Sequence, residues 1–174
     1  FTPTPECVDA SGLAAQVFAG RSTPERLREV DALADRFDPE LWQAVGEAGL
    51  LGMGIPEEHD GAGLGVLELT GVLEQQGRHV GAIPLAHHCA AALAIAEHGS
   101  ADVRDTWLPR AATGEVLLTV ADRGPVLAAP RADAVVVLSE DRVGLLTDFD
   151  VEPRVLSTGE SAGTVSGGNL VALD

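Results

Sequence analysis

The sequence predicts an α+β chain, with an amino-terminal α-helical domain over residues 1–114 and a partial antiparallel β-domain over residues 115–174. The first observation is a change of composition near residue 114. Before it, Ala, Leu and Glu recur at helical spacing, and after it short Val and Leu runs alternate with Asp, Gly, Pro and Ser. The second observation is length, because 174 residues fit one domain plus part of a second.

Helix start signals divide the first part of the chain. Thr23-Pro24-Glu25 and Asp38-Pro39-Glu40 each provide an N-cap side chain, a proline at the first helical position and an acid in the first turn. The stretch 85–97 is almost wholly apolar, which predicts a helix buried on most sides. The predicted helices are therefore 9–19, one starting at Thr23, 38–49, 66–78, 85–97, and one that Ser100 caps and Pro109 interrupts.

Glycines cluster at 61–65, within an aperiodic segment that spans 50–65. Glycines before a helix let backbone amides approach a phosphate. A dinucleotide fingerprint needs a strand immediately before it, however, and a P-loop needs a Gly-Lys-Ser/Thr ending, and this segment has neither. We predict an ordered structural turn with several residues at positive φ.

Short runs of Val and Leu predict four strands, at 116–121, 134–138, 143–147 and 151–156. Ser139-Glu140-Asp141 predicts the hairpin turn between the second and the third strand. Because no helix-length segment separates the four strands, we expect an antiparallel sheet. The Gly-rich end, 161–174, has no pattern that places it.

Charge and hydropathy exclude several classes of partner. Eleven basic against 27 acidic residues give a formal charge of −16, which repels nucleic acid and anionic lipid. No apolar run approaches the roughly 20 residues of a membrane span. Residues 1–6 lack the pattern of a signal peptide, so we expect a cytoplasmic protein.

Two distant cysteines, Cys7 and Cys89, are expected to be reduced, with Cys89 buried.

Candidate catalytic groups are scarce. His87 and His88 are neighbours, so their side chains diverge by about 100° on a helix and do not share a metal in the usual i, i+4 manner. We expect surface or interface histidines and no metal site. Gly159-Glu160-Ser161 lacks the strand-turn-helix context of a nucleophile elbow. No catalytic residue is assigned.

Several blocks resemble the acyl-CoA dehydrogenase family. They are GEAGLLG at 46–52 with IPEEHDGAGLG at 55–65, LEQQGR at 73–78, HGS at 98–100, and WLP at 107–109 with TGE at 113–115. The blocks occur in the order of the family and cover roughly residues 23–121. The resemblance implies an FAD-dependent enzyme that removes α and β hydrogens from an acyl-CoA thioester. It also implies a carboxyl-terminal helical bundle, which carries the proton-abstracting glutamate and is absent from this sequence.

The flavin motifs depart from the family pattern. The resemblance places the flavin contacts at Thr119, Val120 and Asp122, and Asp122 falls where the family has a threonine. Pro125 and Leu127 stand where a tryptophan and a threonine that contact the ring belong. Two strands that usually lie between these motifs are missing, either through a genuine deletion or because residues are absent from the sequence at that point. A genuine deletion is expected to remove central partners from the sheet and to expose an edge.

A well-kept helical domain with degenerate flavin motifs is similar to one subunit type of the actinobacterial heterotetrameric steroid-CoA dehydrogenases. This similarity implies a homo- or heterotetramer with a related acyl-CoA dehydrogenase chain, and CoA esters of steroid side chains as substrates. The alternative is a non-catalytic scaffold subunit that has lost flavin binding.

Overall fold

The computed structural model of the chain describes residues 4–139, 142–157 and 159–173. Helices fill the first part of the chain, as predicted from the sequence. The first helix is longer than expected, because Thr4 caps it and Pro5 occupies its first turn. The helices are α1 Pro5–Arg21, α2 Pro24–Asp31, α3 Pro39–Glu47, α4 Val66–His79, α5 Leu85–His98 and α6 Ala101–Thr113.

The two predicted N-caps are confirmed. The Thr23 hydroxyl accepts a hydrogen bond from the Arg26 backbone N–H at 3.2 Å. The Asp38 carboxylate accepts from the backbone N–H of Leu41 at 3.2 Å and is also held by the Arg26 guanidinium at 2.7 Å. Burial opposes ionisation of Asp38, but these hydrogen bonds outweigh it and hold its pKa below the ordinary value. Asp38 therefore fixes the start of α3 as a carboxylate.

Pro109 does not interrupt α6, and that prediction was wrong. The helix continues to Thr113 and ends at Gly114, which takes a left-handed conformation with φ of 79°. An interior proline removes one helical hydrogen bond and costs about 3 kcal/mol. Leu108 and Ala111, on either side of the proline, are fully buried, so their packing holds both halves of the helix against the core.

The segment 50–65 is an ordered turn, as predicted. It contains one 3₁₀ turn, Glu57–His59, and its amides bond within the segment: Ala62 N–H to Gly52 O, Gly63 N–H to Ile55 O, and Leu64 N–H to Met53 O. These amides are not available to a phosphate.

The second part of the chain folds into two small sheets. The first has the strand order β1-β3-β4-β7 and the second has the order β2-β6-β5. Antiparallel pairing dominates, as the sequence predicts. The strands are β1 Leu118–Ala121, β2 Val126–Leu127, β3 Ala134–Leu138, β4 Val143–Thr147, β5 Asp150–Val155, β6 Ser161–Ser166 and β7 Asn169–Leu173.

One pair departs from the antiparallel prediction. β1 and β3 are parallel, with Leu118 opposite Ala134 and Thr119 opposite Val135. The connection 122–133 carries β2 into the second sheet before it returns, which gives the chain the length that a parallel crossover needs. Among the described residues, β1 pairs with β3 and lies at the edge of the first sheet, so the deletion of central partners stays a prediction. The predicted hairpin joins β3 to β4, but Glu140 and Asp141 lie outside the described residues.

Three apolar cores hold these layers together. One lies among α1, α3, α4 and the start of α5, a second lies between α5, α6 and the first sheet, and a third, small core lies between the two sheets.

Cys7 and Cys89 are both free and buried, and burial raises the pKa of the Cys89 thiol to about 12. No helix within the described residues is long and apolar enough to cross a membrane.

Candidate functional site

A cleft of about 690 Å³, here called the main cleft, opens where the helical part meets the sheets. Its walls come from three regions that are distant in sequence: α2 with the segment after it, the α4–α5 connection, and the β-domain around β2 and the turn before β6. This volume is in the range of small-molecule sites. The lining residues on which the argument depends are Arg36, Val80, Ile83, Leu85, Leu127 and Ala128.

The α4–α5 connection is held rigidly against the core. The Gln76 side-chain amide donates to the carbonyl of Gly81 at 3.0 Å and to that of Ile83 at 2.6 Å. The Asp38 N–H donates to Ala82 O at 3.0 Å, which ties the connection to the start of α3. Ile83 and Leu85 are buried beneath the cleft. These contacts give the main cleft a pre-formed apolar wall.

Residues 35–37, here called the strap, separate the main cleft from a second cleft of about 460 Å³. The Arg131 guanidinium donates to the Asp35 carboxylate and lies 4.7 Å from the centre of the Phe37 ring. Burial opposes ionisation of Asp35, but the bond from Arg131 outweighs it and lowers the pKa of Asp35. Asp35, Phe37 and Arg131 line both clefts, so the strap and Arg131 form the partition between them.

The charges around the main cleft are arranged as pairs. Arg36 lies 3.2 Å from Asp31, and Arg28 lies 3.6 Å from Glu25. Burial lowers the pKa of His87, and the negative charge of Glu160 partly opposes this shift. Among the described residues that line the cleft, the basic side chains are paired with acidic ones, and no excess of positive charge faces the apolar wall.

His88 is completely buried, which corrects the expectation of a surface or interface histidine. Its Nδ1 accepts a hydrogen bond from Leu118 N–H at 3.2 Å, and its Nε2 lies 3.1 Å from Ala111 O. Nε2 must therefore carry the proton, and the ring is neutral. Trp42 packs edge-on against the ring at 4.9 Å and donates to Gly114 O at 2.9 Å. We call His88 with its three partners, Leu118, Ala111 and Trp42, the His88 junction.

The junction joins the end of α6 to the first residue of β1. Because burial disfavours the charged imidazolium, the pKa of His88 falls to about 4. A signal for its burial exists in the sequence: His88 shares a helix face with Leu85, Ala92 and Ile95, which are all buried, whereas His87 lies off that face.

The three predicted flavin contacts lie on or just after β1. The Thr119 side chain is fully buried, and its hydroxyl donates to Leu127 O at 2.7 Å. Val120 is half-buried, and Asp122 is exposed in the turn after the strand. A satisfied hydroxyl and an exposed carboxylate do not fit the phosphates or the ring of FAD. A contact through the backbone of this strand stays a prediction.

No group of three or more His, Cys, Asp or Glu side chains in the described part of the chain is arranged to hold a metal. Sequence reasoning missed the main cleft, because its lining comes from segments that no local pattern connects. Leu127 was recognised only as a departure from a family motif, and here it lines the cleft beside Ala128.

Comparison with known proteins gives consistent matches. The model of the acyl-CoA dehydrogenase N-terminal domain matches residues 12–115. Acyl-CoA dehydrogenase FadE27 of Mycobacterium tuberculosis is 40% identical over 135 residues, which is 74% of this chain and 36% of that protein. A chain of the ChsE4-ChsE5 complex from Mycobacterium tuberculosis superposes with a TM-score of 0.89 at 31% identity, over 98% of this chain and 56% of that one.

A variant of the Tcur3481-Tcur3483 steroid ACAD superposes with a TM-score of 0.87 at 33% identity, over 97% of this chain and 56% of that chain. A glutaryl-CoA dehydrogenase from Mycobacterium smegmatis, solved in complex with FADH2, has a TM-score of 0.71 at 19% identity, which shows a shared fold alone. This chain thus spans about a third of FadE27 and about half of the solved chains. With its match to the N-terminal domain, the chain belongs to the acyl-CoA dehydrogenase family.

Proposed function

We propose that this chain works in an FAD-dependent acyl-CoA dehydrogenase that oxidises the α,β bond of an acyl-CoA thioester, and that the main cleft receives the acyl group. The observation that carries the proposal is the position of the cleft, between the rigid α4–α5 connection and β2, beside the strand in which the family resemblance places the flavin contacts. An apolar wall of Ile83, Leu85 and Leu127 suits a hydrocarbon and not a charged group.

We propose further that the enzyme is a heteromer in which a related chain, or residues outside this sequence, supplies the catalytic base and most flavin contacts. Two solved structures support this arrangement, because each contains a pair of named proteins and the Tcur3481-Tcur3483 pair is a steroid ACAD. By this analogy, CoA esters of steroid side-chain acids are the substrates. We place the domain boundary near residue 114 and the protein in the cytoplasm.

The second candidate is a non-catalytic scaffold subunit. The bond from the Thr119 hydroxyl to Leu127 O favours it, because it uses a hydroxyl that a flavin site would need. The exposed Asp122 adds a negative charge where the phosphates of FAD are negative.

Co-purification with a related partner chain separates the two candidates. We expect the assembly to show visible flavin absorption that bleaches on anaerobic addition of an acyl-CoA. Octanoyl-CoA tests a linear chain, and the CoA ester of a steroid side-chain acid tests a ring system. Flavin absorption without bleaching by either ester would contradict the dehydrogenase, and an assembly without flavin would support the scaffold.

A blocking variant tests the cleft itself. Ala86 lines the main cleft, and Ala90, one helical turn further along α5, is also exposed but does not line it. We expect Ala86→Trp to abolish bleaching by acyl-CoA while flavin absorption persists. Ala90→Trp is the matched control and should behave like the unchanged protein. Equal activity of the two variants would show that the acyl group does not bind in the main cleft.

A further inference from the structure

Left-handed backbone conformations concentrate around the main cleft. Within the described residues, five non-glycine residues have positive φ, and three of them line this cleft: Arg36 at 47°, Val80 at 55° and Ala128 at 57°. They belong to three separate segments of the chain. The other two, Asp60 and Asp148, lie outside the cleft and are of a residue type that tolerates this conformation.

Val80 has the least suitable side chain of the five. A β-branched residue in the left-handed region is a genuine outlier, and this conformation reduces the stability of the folded chain. The conformation itself ends α4, because Val80 N–H donates to Gly77 O and Gly81 N–H donates to Gln76 O. Glycine usually occupies this position, so helix termination explains the backbone and not the valine.

Packing does not explain the valine either. Its side chain is 67% exposed at the mouth of the cleft, so little apolar burial offsets the strain. The backbone around it is fixed, because a Cβ on the neighbouring Gly81 would lie 2.7 Å from the Phe18 ring. The Gln76 amide holds the carbonyl of Gly81 as well. A strained residue that its surroundings hold in place at a cleft indicates a ligand contact.

We propose that Val80 is a specificity-determining residue of the main cleft, whose side chain contacts the apolar part of the ligand. This inference rests on the proposed function, because the ligand is the acyl group of the substrate. The fixed backbone presents the valine in one direction, so that the contact needs no ordering when the ligand binds.

Two substitutions separate strain from contact. Val80→Gly removes both the strain and the methyl groups, and Val80→Ala removes the methyl groups while a Cβ keeps most of the strain. Val66, 66% exposed and outside the cleft, provides the control Val66→Ala. Calorimetric titration of the assembly co-purified with the partner chain measures the binding of two probes, deoxycholate as a steroid carboxylate and decanoate as a linear one. Thermal unfolding is followed in parallel.

We expect Val80→Gly to raise Tm by roughly 2–4 °C while it weakens deoxycholate binding by about tenfold. Val80→Ala should weaken binding similarly with little change in Tm, and Val66→Ala should leave binding unchanged. If Val80→Gly binds deoxycholate as tightly as the unchanged chain, Val80 is not a contact, although the main cleft remains the acyl site. If the unchanged chain binds neither probe, both the proposed acyl site and the role of Val80 are wrong.

Discussion

The His88 junction and the main cleft meet at α5, where His88 belongs to the junction and its neighbour His87 lines the cleft, but the junction and the rim of the cleft are built in opposite ways. At the junction, both ring nitrogens have partners and the side chain is fully buried. At the rim, Arg36, Val80 and Ala128 hold left-handed conformations that their side chains disfavour. His88 thus belongs to the buried junction, whereas its neighbour His87 lines the main cleft.

The difference shows which region stabilises the fold and which one reduces its stability. A buried polar group with every bond made rigidifies the packing around it. Strained residues at a concave surface reduce stability and are retained where a function needs them. Substitutions should therefore change the free energy of unfolding in opposite directions in the two regions.

Replacing His88 by alanine should have the largest effect. His88→Ala opens a cavity and leaves Leu118 N–H buried without its acceptor, whereas Ala111 O keeps the Gly114 N–H as a donor. We expect a loss of about 3–4 kcal/mol in the free energy of unfolding and a fall of roughly 10 °C in Tm. Denaturant titration measures the first quantity. His87→Ala, at the half-buried neighbour, is the control and should cost less than about 1 kcal/mol.

Acid should weaken the same junction. The pKa of His88 is about 4 in the folded chain against 6.5 for an ordinary histidine, so the unfolded chain binds more protons between these values. Stability is therefore full above pH 6.5 and falls as pH decreases toward 4, by about 3 kcal/mol in all.

The measurement is the pH dependence of unfolding in the unchanged chain and in His88→Gln. The pKa of His87 is also lowered, but this contribution is common to both proteins and cancels in the difference. Parallel pH profiles of the two proteins would show that His88 is not a buried neutral imidazole.

At the rim of the main cleft, replacing a left-handed residue by glycine should stabilise the folded chain. Ala128 has φ of 57°, and its N–H donates to Ser161 O at 2.9 Å, a bond that glycine keeps. Ala128→Gly relieves the left-handed strain, and we expect a gain of about 1 kcal/mol in thermal unfolding experiments. Ala129→Gly is the adjacent control, and its loss of buried packing should destabilise. A destabilised Ala128→Gly would show that the rim is not strained.

The smallest change in stability should follow from opening the partition between the two clefts. The ion pair of Arg131 with Asp35 is partly exposed, and such pairs contribute at most about 1 kcal/mol. Arg131→Ala should therefore leave unfolding nearly unchanged while it joins the clefts and admits longer probes. Calorimetric comparison of decanoate with palmitate measures this, and Arg154→Ala, at an exposed pair away from the strap, is the control.

Local signals in the sequence were sufficient to predict most of the helices in the first part of the chain. The caps at Thr23 and Asp38 act within three residues of themselves, so their effect is legible without the fold. The parallel pairing of β1 with β3 was not predictable in the same way, because it depends on where the connection 122–133 travels. β6 and β7 were missed because the glycines in 161–174 mask any alternation.

The site was less accessible to sequence reasoning. His88 forms hydrogen bonds with Ala111 and Leu118, which lie 23 and 30 positions further along the chain. Because His87 is adjacent in the sequence, the two histidines were interpreted together, and the place of His88 on the buried face of α5 was missed. Nothing in the residue types of Arg36, Val80 or Ala128 announces a left-handed conformation, since glycine and asparagine are the usual signals. The cleft emerges only when three distant segments meet.

The bond between Leu118 N–H and His88 has a consequence for biosynthesis. The first amide of β1 finds its acceptor on α5, which leaves the ribosome about 30 residues earlier. The opposite edge of β1 waits for β3, which is synthesised later. The helical part thus already contains the acceptor for the first amide of β1 when that strand is synthesised, before its partner strand in the sheet exists.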